Sequence, residues 1–399
     1  MYLDMLGERQ LNGLEKFLDA VDLVQPINFS LMVTLNGPIT LKLISNAAKL
    51  ACEKLPACLL VPYNRGTPRT FFARSPFLPR IEVASGGRLD KTIGHTINHR
   101  FDLNREAPIR IKWQPTDTHH LLIVTFLHTS ADGASGLRWI NVLIESLDEL
   151  YRGEIRRTPS APLDPKLLET LDHPAQPDSL RSDTDRLTGA QFAKSRSTAV
   201  LGIEFSQEET TTIFNHIEQR NLSVNTVLSA AHLRAVSTLF ESMPSMSLSF
   251  PVDLRRGRGL PNDAYGCFVS EARIEQRVNP NASTVALSRR LDRALKDAVD
   301  DARPWNEKLS LPLDARGIYQ SRATTAVSNL GVFEPYPNEC FSIQRVGFAV
   351  GCSVLGDQVL TVLTTQGRMT CMLCWTVDTA KPVQIRDVGQ RFRQNLLTL

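Results

Sequence analysis

The residues of this chain best suited to chemistry are a histidine, an aspartate and a glycine at fixed spacing. They are His128, Asp132 and Gly133, in the run Phe126-Leu127-His128-Thr129-Ser130-Ala131-Asp132-Gly133. An imidazole exchanges protons near neutral pH. A carboxylate four positions later can orient the ring or its loop, and the glycine is expected to let the backbone turn sharply. The chain has 8 His, so a His-x3-Asp pair arises by chance about half the time, and with a following Gly about one time in forty. The triplet therefore needs support from its surroundings. The competing reading is a partly buried histidine bonded to Asp132 for structural reasons.

Those surroundings are favourable. Leu121-Leu122-Ile123-Val124-Thr125-Phe126-Leu127 is an apolar, β-branched run of strand length, as expected of a strand buried on both faces. Beyond Gly133 the period changes: Leu137, Ile140, Leu143, Ile144, Leu147 and Leu150 recur at helical spacing. Ser135 is the expected cap of that helix. His128 thus falls in a strand-to-helix turn, held by regular elements yet open to a substrate.

His128-x3-Asp132-Gly133 after an apolar strand resembles the HHxxxDG motif of the coenzyme-A-dependent acyltransferase superfamily. That group includes chloramphenicol acetyltransferase, condensation domains of nonribosomal peptide synthetases, alcohol acetyltransferases and phthiocerol dimycocerosyl transferase. Phe101-Asp102-Leu103 with Ala107-Pro108-Ile109-Arg110-Ile111 is similar to the strand preceding the motif in those proteins. Phe250-Pro251-Val252-Asp253-Leu254-Arg255, with Tyr265-Gly266-Cys267-Phe268 downstream, looks like their "pvdlR…G.f" segment. Thr325-Ala326-Val327-Ser328-Asn329-Leu330-Gly331 looks like their "SN.G" strand. The matches keep the family's order from about residue 28 to 390. Leu127 stands where the family has its first His, the arginine that often pairs with the motif aspartate is replaced near Leu59 and Leu60, and there is no DFGWG sequence.

The resemblance implies an α/β fold of two chloramphenicol-acetyltransferase-like sandwich lobes, with a tunnel between them in which donor and acceptor meet at His128. It implies a stand-alone acyltransferase that moves an acyl group from acyl-CoA, or a carrier-protein thioester, to an alcohol. A thioester is already activated, so the enzyme mainly positions the acceptor and takes its proton. A well-placed imidazole contributes ~10²–10⁴-fold to such a step. Asp132 is better suited to fixing the loop, through an arginine or backbone groups, than to acting as a second base. Gly133 opens a helix whose N–H groups and dipole favour negative charge. Ser328, Asn329 and Thr364 are candidate oxyanion donors, although strand packing explains each equally well. Arg255 either holds a CoA phosphate or orients the second lobe, with a structural ion pair as the alternative. Two other readings stay open: an amide- or peptide-forming enzyme on the same fold, and a condensation-like binding protein without catalysis. There is no GxSxG elbow and no Gly-rich nucleotide loop.

Composition agrees with a two-lobed globular protein. The 399 residues are too many for one compact core, and 22% charged with 42% hydrophobic is ordinary. A net charge of +3, with scattered basic residues, excludes a polyanion track, so no nucleic-acid partner is expected. No apolar run reaches the length of a membrane span, and Met1-Tyr2-Leu3-Asp4 does not begin a secretory signal, so a cytoplasmic location is expected. The seven Cys read as reduced thiols. Cys371-Met372-Leu373-Cys374 has CxxC spacing without a second pair, and core packing is the stronger reading. No metal is assigned to it, nor to His95 and His99. No cofactor beyond the thioester co-substrate is expected, and two fused lobes make a monomer sufficient.

The chain divides into an N-terminal lobe at 1–170, a linker at 171–198 and a C-terminal lobe at 199–399. The proline-bearing polar stretch from Thr158 to Thr188 marks the junction. Ser206 with Glu209 three residues on is a capping box opening a helix. Met246 to Val252, Thr325 to Asn329, Val346 to Val354 and Leu360 to Trp375 read as strands.

Overall fold

The computed structural model describes residues 9–157, 197–255, 260–300 and 323–399, apart from positions 68, 85, 117, 242, 339, 353–355 and 378. The linker placed at 171–198 lies outside the described residues except for its last two positions.

The first lobe is built on a sheet whose strand order is β12-β2-β7-β6-β5. Strand β2 (Phe29–Asn36) pairs antiparallel with β7 (His120–Phe126), and β7 with β6 (Ile109–Pro115); β5 (Arg80–Val83) runs parallel to β6. The apolar run expected to be buried on both faces is β7, whose last five residues are all buried. Helices α2 (Leu41–Lys54) and α4 (Gly133–Arg152) cover one face, and Lys54 of α2 lies 2.9 Å from Glu149 and 3.1 Å from Glu145 of α4. Helix α1 (Gly13–Val24) was not anticipated. It opens with a capping box in which Asn12 and Glu15 each bond the other's amide. Strands β1 (Arg9–Gln10), β3 (Leu60–Tyr63) and β4 (Phe71–Arg74) form a small separate sheet, and α3 (Leu89–Asn98) precedes β6.

The second lobe holds a six-stranded sheet of order β10-β9-β11-β13-β14-β8. Its strands are β8 (Thr198–Glu204), β9 (Ser245–Asp253), β10 (Val269–Arg277), β11 (Ala323–Phe333), β13 (Gly356–Thr365) and β14 (Arg368–Thr376). Helices α5 (Gln207–Gln219), α6 (Val224–Ser237), α7 (Thr284–Asp300) and α8 (Pro382–Leu397) complete the lobe. Ser206 caps α5 with Glu209 as its reciprocal partner, as the sequence pattern predicts.

Two features depart from the sequence reading. The stretch Leu360 to Trp375 is not one strand but the β13–β14 hairpin, turned at Gln366 and Gly367 with φ of 49° and 71°. Both strands are nearly continuous in buried residues, and the threonines beside the turn are themselves strand formers, which hid it. The second feature concerns the division at 199–399. Strand β12 (Ser342–Val350) leaves the second lobe and pairs antiparallel with β2 of the first, Phe348 opposite Leu31 and Ala349 opposite Ser30. The first lobe's core accordingly includes Ile343, Val346, Phe348, Leu363 and Met372. The lobes share hydrocarbon as well as chain.

Cys371 and Cys374 are fully buried on β14, and burial pushes both thiols well above their ordinary value. His232 of α6 is also fully buried, its Nε2 2.8 Å from the Thr325 hydroxyl on β11, and desolvation lowers its pKa from 6.5 to about 3. Below pH 6.5 the unfolded chain binds a proton there that the native protein refuses. Stability should therefore fall by about 1.4 kcal/mol per pH unit on acidification from 6.5 toward 3, roughly 2 kcal/mol by pH 5. Urea midpoints at pH 7 and pH 5 should drop further for wild type than for His232→Gln, and equal drops would refute the assignment.

Candidate active site

His128 stands two residues beyond the end of β7, in a loop whose first turn is closed by the Ser130 amide on the Leu127 carbonyl, 3.0 Å. Leu127, at the position of the family's first His, is fully buried, and its amide donates to the Pro108 carbonyl. His128 is half-buried. Its ring meets Phe29 edge-on at 5.3 Å, and Phe29 stacks on Phe126 at 5.0 Å. Phe29 fits there because Gly136 has no side chain: a Cβ on Gly136 would lie 2.8 Å from the Phe29 ring.

The ring's two nitrogens differ. Nδ1 lies 3.1 Å from the Ala131 carbonyl oxygen, which can only accept, so Nδ1 carries the proton. Nε2 is left with a lone pair, the form a general base requires. Desolvation pulls the pKa below 6.5 against weaker opposing effects of backbone bonds and the Asp132 and Asp22 charges, so the ring is mostly neutral at pH 7.

Asp132 faces away from this work. It is the N-cap of α4, accepting the Ser135 amide at 2.8 Å, and it also accepts the Phe268 amide at 2.8 Å. The helix cap is therefore Asp132 and not Ser135. Arg255 supplies the partner missing near Leu59 and Leu60, its Nη1 and Nη2 lying 2.9 and 3.1 Å from the two carboxylate oxygens. The remaining bonds of Arg255 go to the Ala264 carbonyl, the Asp253 carboxylate and the Ser135 hydroxyl. A guanidinium has five N–H donors, and these five contacts account for them. Burial opposes its charge, yet Asp132 and Asp253 outweigh that and raise its pKa. All of its donors are thus engaged within the protein, and Arg255 ties the second lobe to the first through Asp132.

The seam continues around it. The Gly266 carbonyl accepts the Asp132 amide at 3.1 Å and the Ser135 hydroxyl at 2.7 Å, and that hydroxyl accepts the Gly266 amide at 3.0 Å. Arg138 of α4 pairs with Asp263 at 3.0 Å. Ser135 was expected only as a helix cap, and Gly266 and Phe268 were given no role from sequence, although they lie in the "G.f" match.

Gly133 serves a purpose other than the sharp turn expected of it, since its φ is not among the left-handed values. A Cβ there would meet Leu330 of β11 at 2.7 Å, so the missing side chain lets β11 close on the first turn of α4. Gly133→Ala should cost about 1–3 kcal/mol by overpacking, and Leu330→Ala in the same chain should recover most of it. Thermal denaturation of the single and double variants checks this, and a loss that Leu330→Ala leaves unchanged would contradict it.

The other expected residues lie on the second-lobe sheet. Ser328 lies on β11 opposite Thr361 of β13. The Asn329 amide donates to Asn225 at 2.7 Å and accepts from the Gly331 amide at 2.9 Å. Thr364 is buried opposite Met369 in the hairpin. Asn329 is held by these local bonds and Thr364 by the strand, and no hydrogen bond from either to the His128 loop appears among the described residues. Thr129 and Ser130, unremarked in the sequence, bury hydroxyls with no hydrogen-bond partner among the described residues.

Similarity to known proteins bears on this geometry. Residues 194–379 match the family model described as phthiocerol/phthiodiolone dimycocerosyl transferase C-terminus. No curated protein sequence matches the chain significantly. Polyketide synthase associated protein 5 from Mycobacterium tuberculosis is structurally similar with a TM-score of 0.65 and 14% identity, covering 98% of this chain and 97% of its own. The first condensation domain of the CDA synthetase gives 0.75 at 14% identity, covering 98% and 95%. Trichothecene 15-O-acetyltransferase from Fusarium sporotrichioides gives 0.66 at 13%, covering 98% and 95%. At such identities the structures establish the fold. The family model over the second lobe and the shared fold agree with the resemblance read from the motifs. No helix among the described residues is long and apolar enough to cross a membrane.

Proposed function

We propose that this chain is a stand-alone acyltransferase that moves an acyl group from acyl-CoA, or a carrier-protein thioester, to an alcohol, with His128 as general base. The observation that carries the reading is the commitment of Nδ1 to the Ala131 carbonyl, which leaves the Nε2 lone pair for an incoming hydroxyl. The acceptor oxygen gives its proton to Nε2 while bonding to the thioester carbonyl carbon. The tetrahedral oxyanion then collapses, the C–S bond breaks, and the departing sulfur takes the proton back from Nε2. No acyl-enzyme forms and no resident cofactor takes part. Asp132 and Arg255 act on this step only by holding the loop. The protein is read as a cytoplasmic monomer without a nucleic-acid partner.

An amine acceptor is the second reading, since nothing in the His128 motif distinguishes a hydroxyl from an amine. Both are tested by following thiol release with a dye over a panel of acyl-CoAs, with pooled alcohols and amines, and mass spectrometry of the products. Acylated alcohols made by wild type and not by His128→Ala support the proposal. Acylated amines alone would shift it to the second reading. Thiol release identical in the two proteins would sink it in favour of a binding protein.

A further inference from the structure

Three consecutive second-lobe residues, Gly266, Cys267 and Phe268, clasp the His128 loop of the first lobe. Gly266 and Phe268 bond the backbone and carboxylate of Asp132. Between them Cys267 puts its Sγ 3.8 Å from His128 Nδ1, within the range of a hydrogen bond to sulfur. Cys267 is fully buried with Leu14, Phe17, Leu18 and Val21 of α1 and with Ile27. Desolvation first, then the Asp132 and Glu15 charges, push its pKa far above the ordinary value, so it remains a neutral thiol. Sulfur is a weak acceptor, and the Ala131 carbonyl already faces the same nitrogen. The Nδ1–H thus has two acceptors, one from each lobe.

We propose that Cys267 is a positioning residue for His128, its sulfur sharing the Nδ1 proton with the Ala131 carbonyl and so fixing the tautomer and plane of the ring. The inference deepens the proposed function and rests on it for its catalytic meaning. The ring of the base is then aligned only when the 266–268 segment is seated against the first lobe. An inert role as filler of the α1 cluster is the competing account. The charged groups acting on the ring, Asp132 and Asp22, are untouched by changes at position 267.

The test is ¹⁵N NMR of the histidine rings in the full chain between pH 5 and 8, with His128→Ala to assign the signal. Wild type should show one dominant tautomer, protonated at Nδ1. Cys267→Ala, and Cys267→Val in case the smaller residue does not fold, should raise the minor tautomer roughly fivefold, the equivalent of one weak hydrogen bond. The Nδ1-protonated form stays the major one, so kcat for thiol release should fall only by the fraction that shifts to the minor tautomer, less than about twofold, with KM unchanged. Cys267→Ser, which keeps an acceptor, should restore the ring signals. Leu18→Ala, a void in the same cluster away from the ring, should leave them alone. Unchanged signals in Cys267→Ala or Cys267→Val, or an equal change in Leu18→Ala, would overturn the proposal. The titration needs no substrate, so a failure of turnover would count against the functional reading and not against this one.

Discussion

Arg255→Ala is expected to destabilise the protein by about 3–5 kcal/mol, because it strands a buried carboxylate. Asp132 would keep the amides of Ser135 and Phe268 but lose both charge-assisted bonds, with almost no access to water. The Ala264 carbonyl and the Ser135 hydroxyl lose a partner too. The cost belongs to the orphaned charge more than to the pair, so Asp132→Asn combined with Arg255→Met should recover a large part of it. Chemical denaturation of the three proteins reads this directly. Thiol release should also fall in Arg255→Ala, since the loop carrying His128 loses its anchor on the second lobe. A loss below about 1 kcal/mol would mean that the seam is held by the Gly266 and Phe268 backbone bonds alone.

The second large effect is chemical. His128→Ala should lower kcat for thioester consumption by ~10²–10⁴-fold, the usual contribution of a positioned base. Stability should change little, since His128 is only half-buried and its bond to the Ala131 carbonyl lies within its own loop. His128→Gln can still accept a hydrogen bond but cannot carry the proton, so it should be equally impaired. A Gln variant with near wild-type turnover would assign the ring a binding role instead of a proton-transfer role.

How much of this was legible in the sequence depends on the range of the interaction. The motif strand and its helix were readable because the apolar period changes from continuous to helical at Gly133, a local signal. The capping box at Ser206 was readable for the same reason. The β13–β14 turn was missed because only Gln366 and Gly367 separate two strands whose ends, Thr364-Thr365 and Arg368-Met369, continue a strand-like pattern. The crossing of β12 onto β2 could not be read, since β12 looks like any half-buried strand and its partner lies some three hundred residues earlier. The site divides similarly. His128, Asp132 and Gly133 stand in one short motif, and Arg255 came from an ordered match. Gly133's true reason, the approach of Leu330, and the sulfur of Cys267 beside the ring are tertiary contacts that no spacing encodes. Ser328, Asn329 and Thr364 were drawn from a resemblance of strands, and a strand resemblance does not say which way a side chain is engaged.

The most direct test of the account is kcat/KM for thioester consumption as a function of pH, in wild type and His128→Ala. A base whose pKa burial holds below 6.5 should give a rate that is flat from pH 7 upward and falls tenfold per unit once the pH drops beneath that value, with this limb absent from the variant. A rate still climbing through pH 8, or an acid limb unchanged when the imidazole is removed, would contradict it.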